Sequence, residues 1–380
     1  MSSRRIVHID LDSFYVSVER LLNSRLNGLP IIVGGSSDRA VVSSCSYEAR
    51  AFGVHAGMPS KKAKYLCPDA VFIKGDMDNY SKYSNLVTNI IEENSPIFEK
   101  ASIDEHYIDI SGMDKFYDSL KWAQELKTKI MKNTGLPISF AVSVNKTVAK
   151  IGTGEVKPLG EILITQEKVN QFLDPLTINK IPMLGKKTFE ILNRMGLKTI
   201  IDIREMPVAM LVKLLGKNGQ SIWEKANGID NNQVIPYQEQ KSISSETTFE
   251  QDSVDINKML DIISEMAVNL AYKLRKDNWL TATITVKIRY SDFDTQTMQK
   301  QIPYSAFDHH LISHAKELFL KLYKRRVMVR LIGLKFSKLV HGNVQLNLFE
   351  DNEEVVNLYK TLDKIKNKYG EQIIKRGNSL

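Results

Sequence analysis

At 380 residues the chain is too long for one ordinary core, and 43% hydrophobic with 25% charged residues is the balance of a globular protein of two to four domains. A net charge of +8 points to a polyanionic partner. Two cysteines, Cys45 and Cys67, with no CxxC between them exclude a disulfide framework or zinc site and suit a reducing compartment.

Arg5 to Leu11 reads as a buried strand with Asp10 at its end. Asp10 and Asp12 break its apolar run too early for a secretory leader, and no apolar stretch nears the ~18 residues of a membrane span, so a cytoplasmic protein is expected. Ser13 to Leu22 has helical spacing, with Asp12 or Ser13 as N-cap. Strands are expected over Pro30–Val33 and Ala40–Ser44, a brief helix over Tyr47–Phe52, and a longer helix over Tyr80–Asn94. Phe98–Ala101 and Tyr107–Ile110 flank a polar tip and predict a hairpin. A helix over Leu120–Asn133 and a strand over Ile138–Val144 complete an α+β sheet domain. From about 166 to 230 the segments are short and helical, broken by prolines and glycines. Residues 231–243 are polar and aperiodic and read as a linker. Strands near 244–250, 280–290, 295–302 and 327–338, with helices near 255–276 and 308–324, predict a small sheet covered on one face by two helices. A linear segment after His341 leads to a charged amphipathic helix over 353–369.

Two acidic motifs stand out. Asp10-Leu11-Asp12 closes a strand, and Ser102-Ile103-Asp104-Glu105 sits at the hairpin tip. Alone, either reads as a helix cap or an acidic turn. Together, two strand-end carboxylate sets in one domain are what a pair of magnesium ions needs. Asp104 and Glu105 can converge only where the strand turns, because neighbours on a flat strand face opposite sides. Tyr47 and Arg50 share a helical face, and with Ser44 they could grip a triphosphate; a surface helix is the plainer alternative. Lys146, Lys150 and Lys157 follow a strand and read either as phosphate contacts or as a solvated face. Ile181-Pro182-Met183-Leu184-Gly185 before a helix resembles a helix-hairpin-helix, and Leu214-Leu215-Gly216 could be a second copy; both also suit plain helix–helix turns. From Lys316 to Lys338 there are eight basic residues and one acidic, and Lys287 and Arg289 share a strand face, so this last sheet is expected to follow a phosphate backbone.

In this order, His8-Ile-Asp10-Leu-Asp12-Ser-Phe14-Tyr15, Tyr47-Glu-Ala-Arg50-Ala-Phe-Gly53, Ser102-Ile-Asp104-Glu105-His-Tyr107-Ile-Asp109, Ser143-Val-Asn145-Lys146 and Thr248-Phe249 resemble the Y-family DNA polymerases, within them the bacterial DNA polymerase IV (DinB) branch, over about residues 4–349. The resemblance implies an α+β right-hand polymerase for lesion bypass, of low fidelity and without proofreading. Its parts would be a palm at 1–12 and 75–165, fingers at 13–74, a helical thumb at 166–235, a linker at 236–243 and an α/β little finger at 244–341. It assigns two Mg2+ ions to Asp10, the Leu11 carbonyl, Asp104 and Glu105, and the incoming triphosphate to Ser44, Tyr47, Arg50 and Lys157. Tyr15 matches the steric gate. Gln345-Leu346-Asn347-Leu348-Phe349, in the tail 342–380, resembles a sliding-clamp docking peptide, with Gln345, Leu346, Leu348 and Phe349 as contacts. Primer-template DNA, a deoxynucleoside triphosphate and the clamp are the implied partners of a monomer. Three positions depart from the family pattern: His106 replaces a small residue, Met183 a glycine, and Leu159 the asparagine after Lys157-Pro158. A nucleotidyl cyclase would share the carboxylates but needs no thumb, basic third domain or clamp peptide. A non-catalytic DNA-binding relative would not need intact carboxylates.

Overall fold

Alternation along Ile6-Val7-His8-Ile9-Asp10-Leu11 sets the two faces of the first sheet: Val7, Ile9 and Leu11 point one way, and Ile6, His8 and Asp10 the other. The computed structural model describes residues 4–35, 37–236, 239–342, 352–370 and 373–374, and the chain divides into two units, Met1–Gln238 and Glu239–Leu380. The docking peptide expected at Gln345, Leu346, Leu348 and Phe349 lies outside the described residues.

Unit 1 begins with β1 (Ile6–Leu11) and α1 (Phe14–Leu22). A three-stranded sheet follows, from β2 (Ile31–Gly34), β3 (Val42–Cys45) and, after α2 (Tyr47–Arg50) and α3 (Ser60–Leu66), β4 (Val71–Ile73). Its order is β3-β2-β4, and both cysteines, Cys45 on β3 and Cys67 just after α3, are free thiols buried in its core. Next come α4 (Met77–Asn94), the hairpin β5 (Ile97–Lys100) and β6 (Glu105–Asp109), α5 (Ser119–Thr134), β7 (Ile138–Ser143), α6 (Lys146–Glu155) and β8 (Glu161–Leu163). The main sheet runs β5-β6-β1-β7-β8. Its Val7–Ile9–Leu11 face packs on α4 and α5 through Val87, Ile91, Leu126 and Ile130. The opposite face carries His8, Asp10, Glu105 and Tyr107 and meets α6, since His8 Nδ1 lies 2.9 Å from Thr153 Oγ1.

Short helices α7 (Val169–Leu173), α8 (Lys186–Arg194), α9 (Ile200–Glu205), α10 (Val208–Leu215) and α11 (Lys217–Ala226) share a core with Val148 and Ile151 of α6. Thr199 and Asp202 form a capping box at the start of α9. A single residue, Gly216 at φ 62, joins α10 to α11. A Cβ on Gly219 would meet the Leu211 carbonyl oxygen at 2.1 Å, so the two helices need glycine there.

Unit 2 comprises β9 (Ser242–Ser253), α12 (Ile256–Lys276), β10 (Trp279–Tyr290), β11 (Thr295–Ser305), α13 (Asp308–Leu322), β12 (Val329–His341) and α14 (Asn352–Tyr369). The antiparallel sheet β11-β10-β12-β9 shares its core with α12 and α13, the arrangement expected from the element order. The last helix docks on this unit: Arg275 bonds both Asp363 (2.7 Å) and Asp308 (2.6 Å), and Tyr359 is buried. The basic run is partly neutralised. Lys321 pairs with Glu317 and Arg325 with Asp292 and Asp294, and outside the run Lys287 of β10 pairs with Glu246.

Four elements escaped the sequence reading: α3, β4, α6 and β8. Helix α6 was hidden by Gly152 and Gly154, which are poor helix formers. Gly152 is there because a Cβ would come within 2.9 Å of Ala141 Cβ; the helix lies close on the sheet. The helix expected over Tyr47–Phe52 ends at Arg50, and the stretch read as linker already enters β9 at Ser242.

Candidate active site

Asp10 and Glu105 are directly opposed across β1 and β6, on the sheet face that α6 covers. The Leu11 N–H donates to the Asp104 carbonyl at 3.0 Å, so Asp104 sits one residue beyond that pair. Like charges directly opposed on a sheet repel, and a fold that keeps them supplies cations. Lys150 donates to both Glu105 oxygens at 2.5 and 2.6 Å, and Lys157 binds Asp10 Oδ1. Asp104 Oδ1 accepts from the Ser102 hydroxyl at 2.5 Å, while Ser102 Oγ accepts the Glu105 N–H at 3.1 Å, which fixes the tip. Burial pushes the Asp10 carboxyl up to about 7; Lys157 pulls the other way, and Asp104 and Glu105 add to the rise. Asp10 thus lies within the field of both other carboxylates.

Among the described residues no three acidic, His or Cys side chains form a ready metal cage. Magnesium does not require one, because it is usually held by one or two carboxylates plus substrate phosphates. Oxygen donors on adjacent strands, one destabilised as an anion by burial, fit such an ion. Leu11, the last residue of β1, carries the expected carbonyl ligand.

The expected triphosphate group is partly assembled. Ser44 lies on β3 and Tyr47 opens α2, whose N-cap Ser46 accepts the Ala49 N–H. The Arg50 guanidinium stacks on the Tyr47 ring at 4.5 Å. The Tyr47 hydroxyl is buried and faces Ser13. Burial, then Asp12, raises its pKa.

Tyr15 stands in the first turn of α1 and stacks on Tyr80 at 4.2 Å and 10°. Burial, then the Asp104 charge, raises its hydroxyl pKa, which places Tyr15 within electrostatic reach of the carboxylates. A cavity of about 180 Å³ opens beside it, lined by Val33, Gly34, Ser43, Lys74 and Tyr80. Phe14, its neighbour, is 3% exposed and belongs to the core.

Asp12 has another role. Its buried carboxylate accepts the Ser139 hydroxyl at 2.9 and 3.0 Å and the Leu159 N–H at 2.8 Å, tying the Lys157–Leu159 loop to the sheet. Leu159 holds φ 56, a left-handed conformation that asparagine tolerates better, so the departure from the family pattern costs backbone strain. Met183 likewise takes a glycine's conformation, φ 70, with its side chain 93% exposed. His106 does not crowd the carboxylates. Alternation turns it to the helix face, where its Nε2 lies 3.0 Å from Thr88 Oγ1.

Burial holds the His106 pKa down at about 3, against an ordinary 6.5, with Lys100 assisting. Below 6.5 the unfolded chain binds a proton that the folded chain refuses. Stability from this residue is therefore full above pH 6.5 and lost as pH falls towards 3, at about 1.4 kcal/mol per unit. His106→Ala should flatten the acid limb by that slope, whatever its effect at neutral pH. Urea unfolding at several pH values checks this; parallel limbs in mutant and parent would refute it.

Sequence reasoning underweighted Lys150, placed Ser102 in the acidic motif without giving it a task, and passed over Ser139. The signal for Lys150 was its i, i+4 spacing from Lys146, which becomes visible only once α6 is recognised.

The chain matches the model of the impB/mucB/samB family over residues 9–154 and that of the family's C-terminal domain over residues 240–348. It is 37% identical over 289 residues to a DNA polymerase IV of Exiguobacterium sibiricum, covering 75% of this chain and 80% of that one. It is 35% identical over 383 residues to a DNA polymerase IV of Dehalococcoides mccartyi, covering 100% of this chain and 98% of that one. Among solved structures, a Y-family DNA polymerase chimera of Dbh and Dpo4 aligns with TM-score 0.80 and 28% identity, over 89% of this chain and 100% of that one. An insertion ternary complex of Dbh DNA polymerase aligns with TM-score 0.63 and 28% identity over the same shares. With carboxylates opposed on a sheet face and relatives matching nearly end to end, the chain belongs to the Y-family DNA polymerases, in the DNA polymerase IV branch, and is a DNA-directed DNA polymerase.

Proposed function

We propose that this polymerase performs translesion synthesis, adding deoxynucleotides to a primer 3′ end by two-metal nucleotidyl transfer, with low fidelity and no proofreading. The observation that carries the chemistry is the opposition of Asp10 and Glu105 with Asp104 beside them, on the face that presents Lys150 and Lys157. Asp10, Asp104, Glu105 and the Leu11 carbonyl would hold two Mg2+ ions. When bound, such a pair stabilises both the attacking and leaving oxygens of an in-line displacement. Ser44, Tyr47 and Arg50 bind the triphosphate from the α2 side, and Lys157 from the α6 side. Tyr15 supports the sugar and excludes a 2′-hydroxyl.

In this reading residues 1–12 and 75–165 are the palm, 13–74 the fingers, 166–235 the thumb, 236–243 the linker and 244–341 the little finger. Primer-template DNA and a deoxynucleoside triphosphate are its substrates, and the Dbh ternary complex supports both. We place the protein in the cytoplasm as a monomer; no described helix is long and apolar enough to cross a membrane. Primer extension on intact and abasic templates tests the proposal. A chain that copies intact template but always halts at the lesion is no bypass enzyme.

Gln345, Leu346, Leu348 and Phe349 are assigned to the sliding clamp. Apolar anchors carry most of the affinity of a short peptide. Leu348→Ala with Phe349→Ala should abolish clamp-stimulated synthesis and spare basal synthesis. Equal stimulation of mutant and parent would show that the peptide is incidental.

A further inference from the structure

The chain leaving α11 does not run free. Asn145 Nδ2 donates to the Gly228 carbonyl at 2.7 Å, and the N–H and hydroxyl of Thr147 bind Asp230 Oδ2 at 3.1 and 2.8 Å. Arg4 donates to the Asp230 and Asn232 carbonyls at 3.3 and 2.5 Å. Val234 is 7% exposed and packs with Ile6 and Tyr107. The Ile235 N–H donates to Glu99 Oε2 at 2.9 Å. Lys146 closes the group: it bonds both Glu99 oxygens at 2.7 Å and stands over the Tyr107 ring at 4.7 Å.

Glu99 and Tyr107 face each other across β5 and β6, the two arms of the hairpin that carries Asp104 and Glu105. β5 is one of the sheet's two edge strands and, among the described residues, pairs with β6 alone. An edge arm of four residues opens locally with ease unless something packs across it. Here segment 228–235 supplies that packing, on the same face as the carboxylates. Lys146 also starts α6, whose Lys150 grips Glu105. The ion pair is well shielded, with side-chain exposures of 15% for Lys146 and 13% for Glu99, so its geometry is directional and little screened.

We infer that segment 228–235 is a strut that holds the Asp104–Glu105 hairpin in place, with Val234, Glu99 and Lys146 as positioning residues for the reaction. The inference rests on reading Asp104 and Glu105 as catalytic. It gives the first half of the apparent linker a task in unit 1 and leaves only the residues beyond 235 as tether.

The test uses the full chain with Val234→Ser and, separately, Glu99→Gln, which keeps an acceptor for the Ile235 N–H but removes the charge. Amide hydrogen exchange at residues 101–105 should quicken by about tenfold or more, while β1 and β7 keep the parent's rates. In single-nucleotide extension kcat should fall by about tenfold, with KM for the nucleotide changed less than about twofold. Unchanged exchange at 101–105, or faster exchange with kcat unaltered, overturns the strut. So does faster exchange throughout the sheet, which would make these residues merely structural. Failure of the carboxylate reading is separable, because it would appear as turnover by Asp104→Ala, whereas the exchange data require no activity.

Discussion

Asp104→Ala or Glu105→Ala is expected to lower primer extension by on the order of 10³-fold or more, with binding of primer-template largely retained. The expectation follows from where these groups stand. Glu105 opposes Asp10 directly, and Asp104 is fixed beside them by Ser102. The fold tolerates this repulsion by spending Lys150 and Lys157 on it, although those lysines could otherwise be solvated. A purely structural acidic turn would not be built on the sheet face where three carboxylates share one field. Folding should survive, because both residues lie at a hairpin tip and neither belongs to the hydrophobic core. DNA affinity measured without added Mg2+ should not fall, since removing a negative charge then does not weaken attraction to phosphates. The measurement is single-turnover extension alongside equilibrium DNA binding. Near-normal turnover by either variant would remove the site.

Much of this site was legible because it rests on periodicity. Asp10 lies near the end of an alternating strand, and Asp104 and Glu105 sit between two strand-like runs, so the strands and the hairpin follow from patterning, though not their order in the sheet. The orientation of His106 also follows from alternation: neighbours on a strand face opposite ways, and Glu105 had taken the carboxylate face. What periodicity could not reveal was α6. Its glycines suit a close approach to Ala141 but depress helix propensity, and with the helix hidden, Lys150 looked like part of a solvated run. Residues 231–235, the latter part of segment 228–235, were read as aperiodic linker for a similar reason. The segment is held largely by side chains bonding to its backbone and by one valine, and such contacts between distant residues leave no periodic trace. In unit 2 the basic count overstated the free positive charge, because the acidic partners of Arg325 and Lys287 lie at 292, 294 and 246, outside the run.

Tyr15→Ala should remain folded and gain ribonucleotide incorporation far more than it loses deoxyribonucleotide incorporation. Tyr15 is held by its stack on Tyr80, whose hydroxyl donates to Glu19 Oε1 at 2.5 Å, so the ring has a fixed wall behind it. A 2′-hydroxyl arriving against a ring that cannot retreat meets overlap rather than a lost hydrogen bond. Overpacking of a rigid site costs about 1–3 kcal/mol, or about tenfold to a hundredfold in selectivity. Truncation removes the ring and the stack but leaves Phe14, the aromatic that the core uses, untouched. Phe14→Ala is the contrasting control: it empties a core position and should cost about 3–5 kcal/mol of stability. Single-nucleotide extension with both sugars, run beside thermal unfolding, separates the roles. If Tyr15→Ala melts like the parent yet still rejects ribonucleotides as strongly, the gate lies elsewhere. Because Phe14 is buried in the core, the search would then move to the lining of the adjoining cavity, beginning with Ser43 and Lys74.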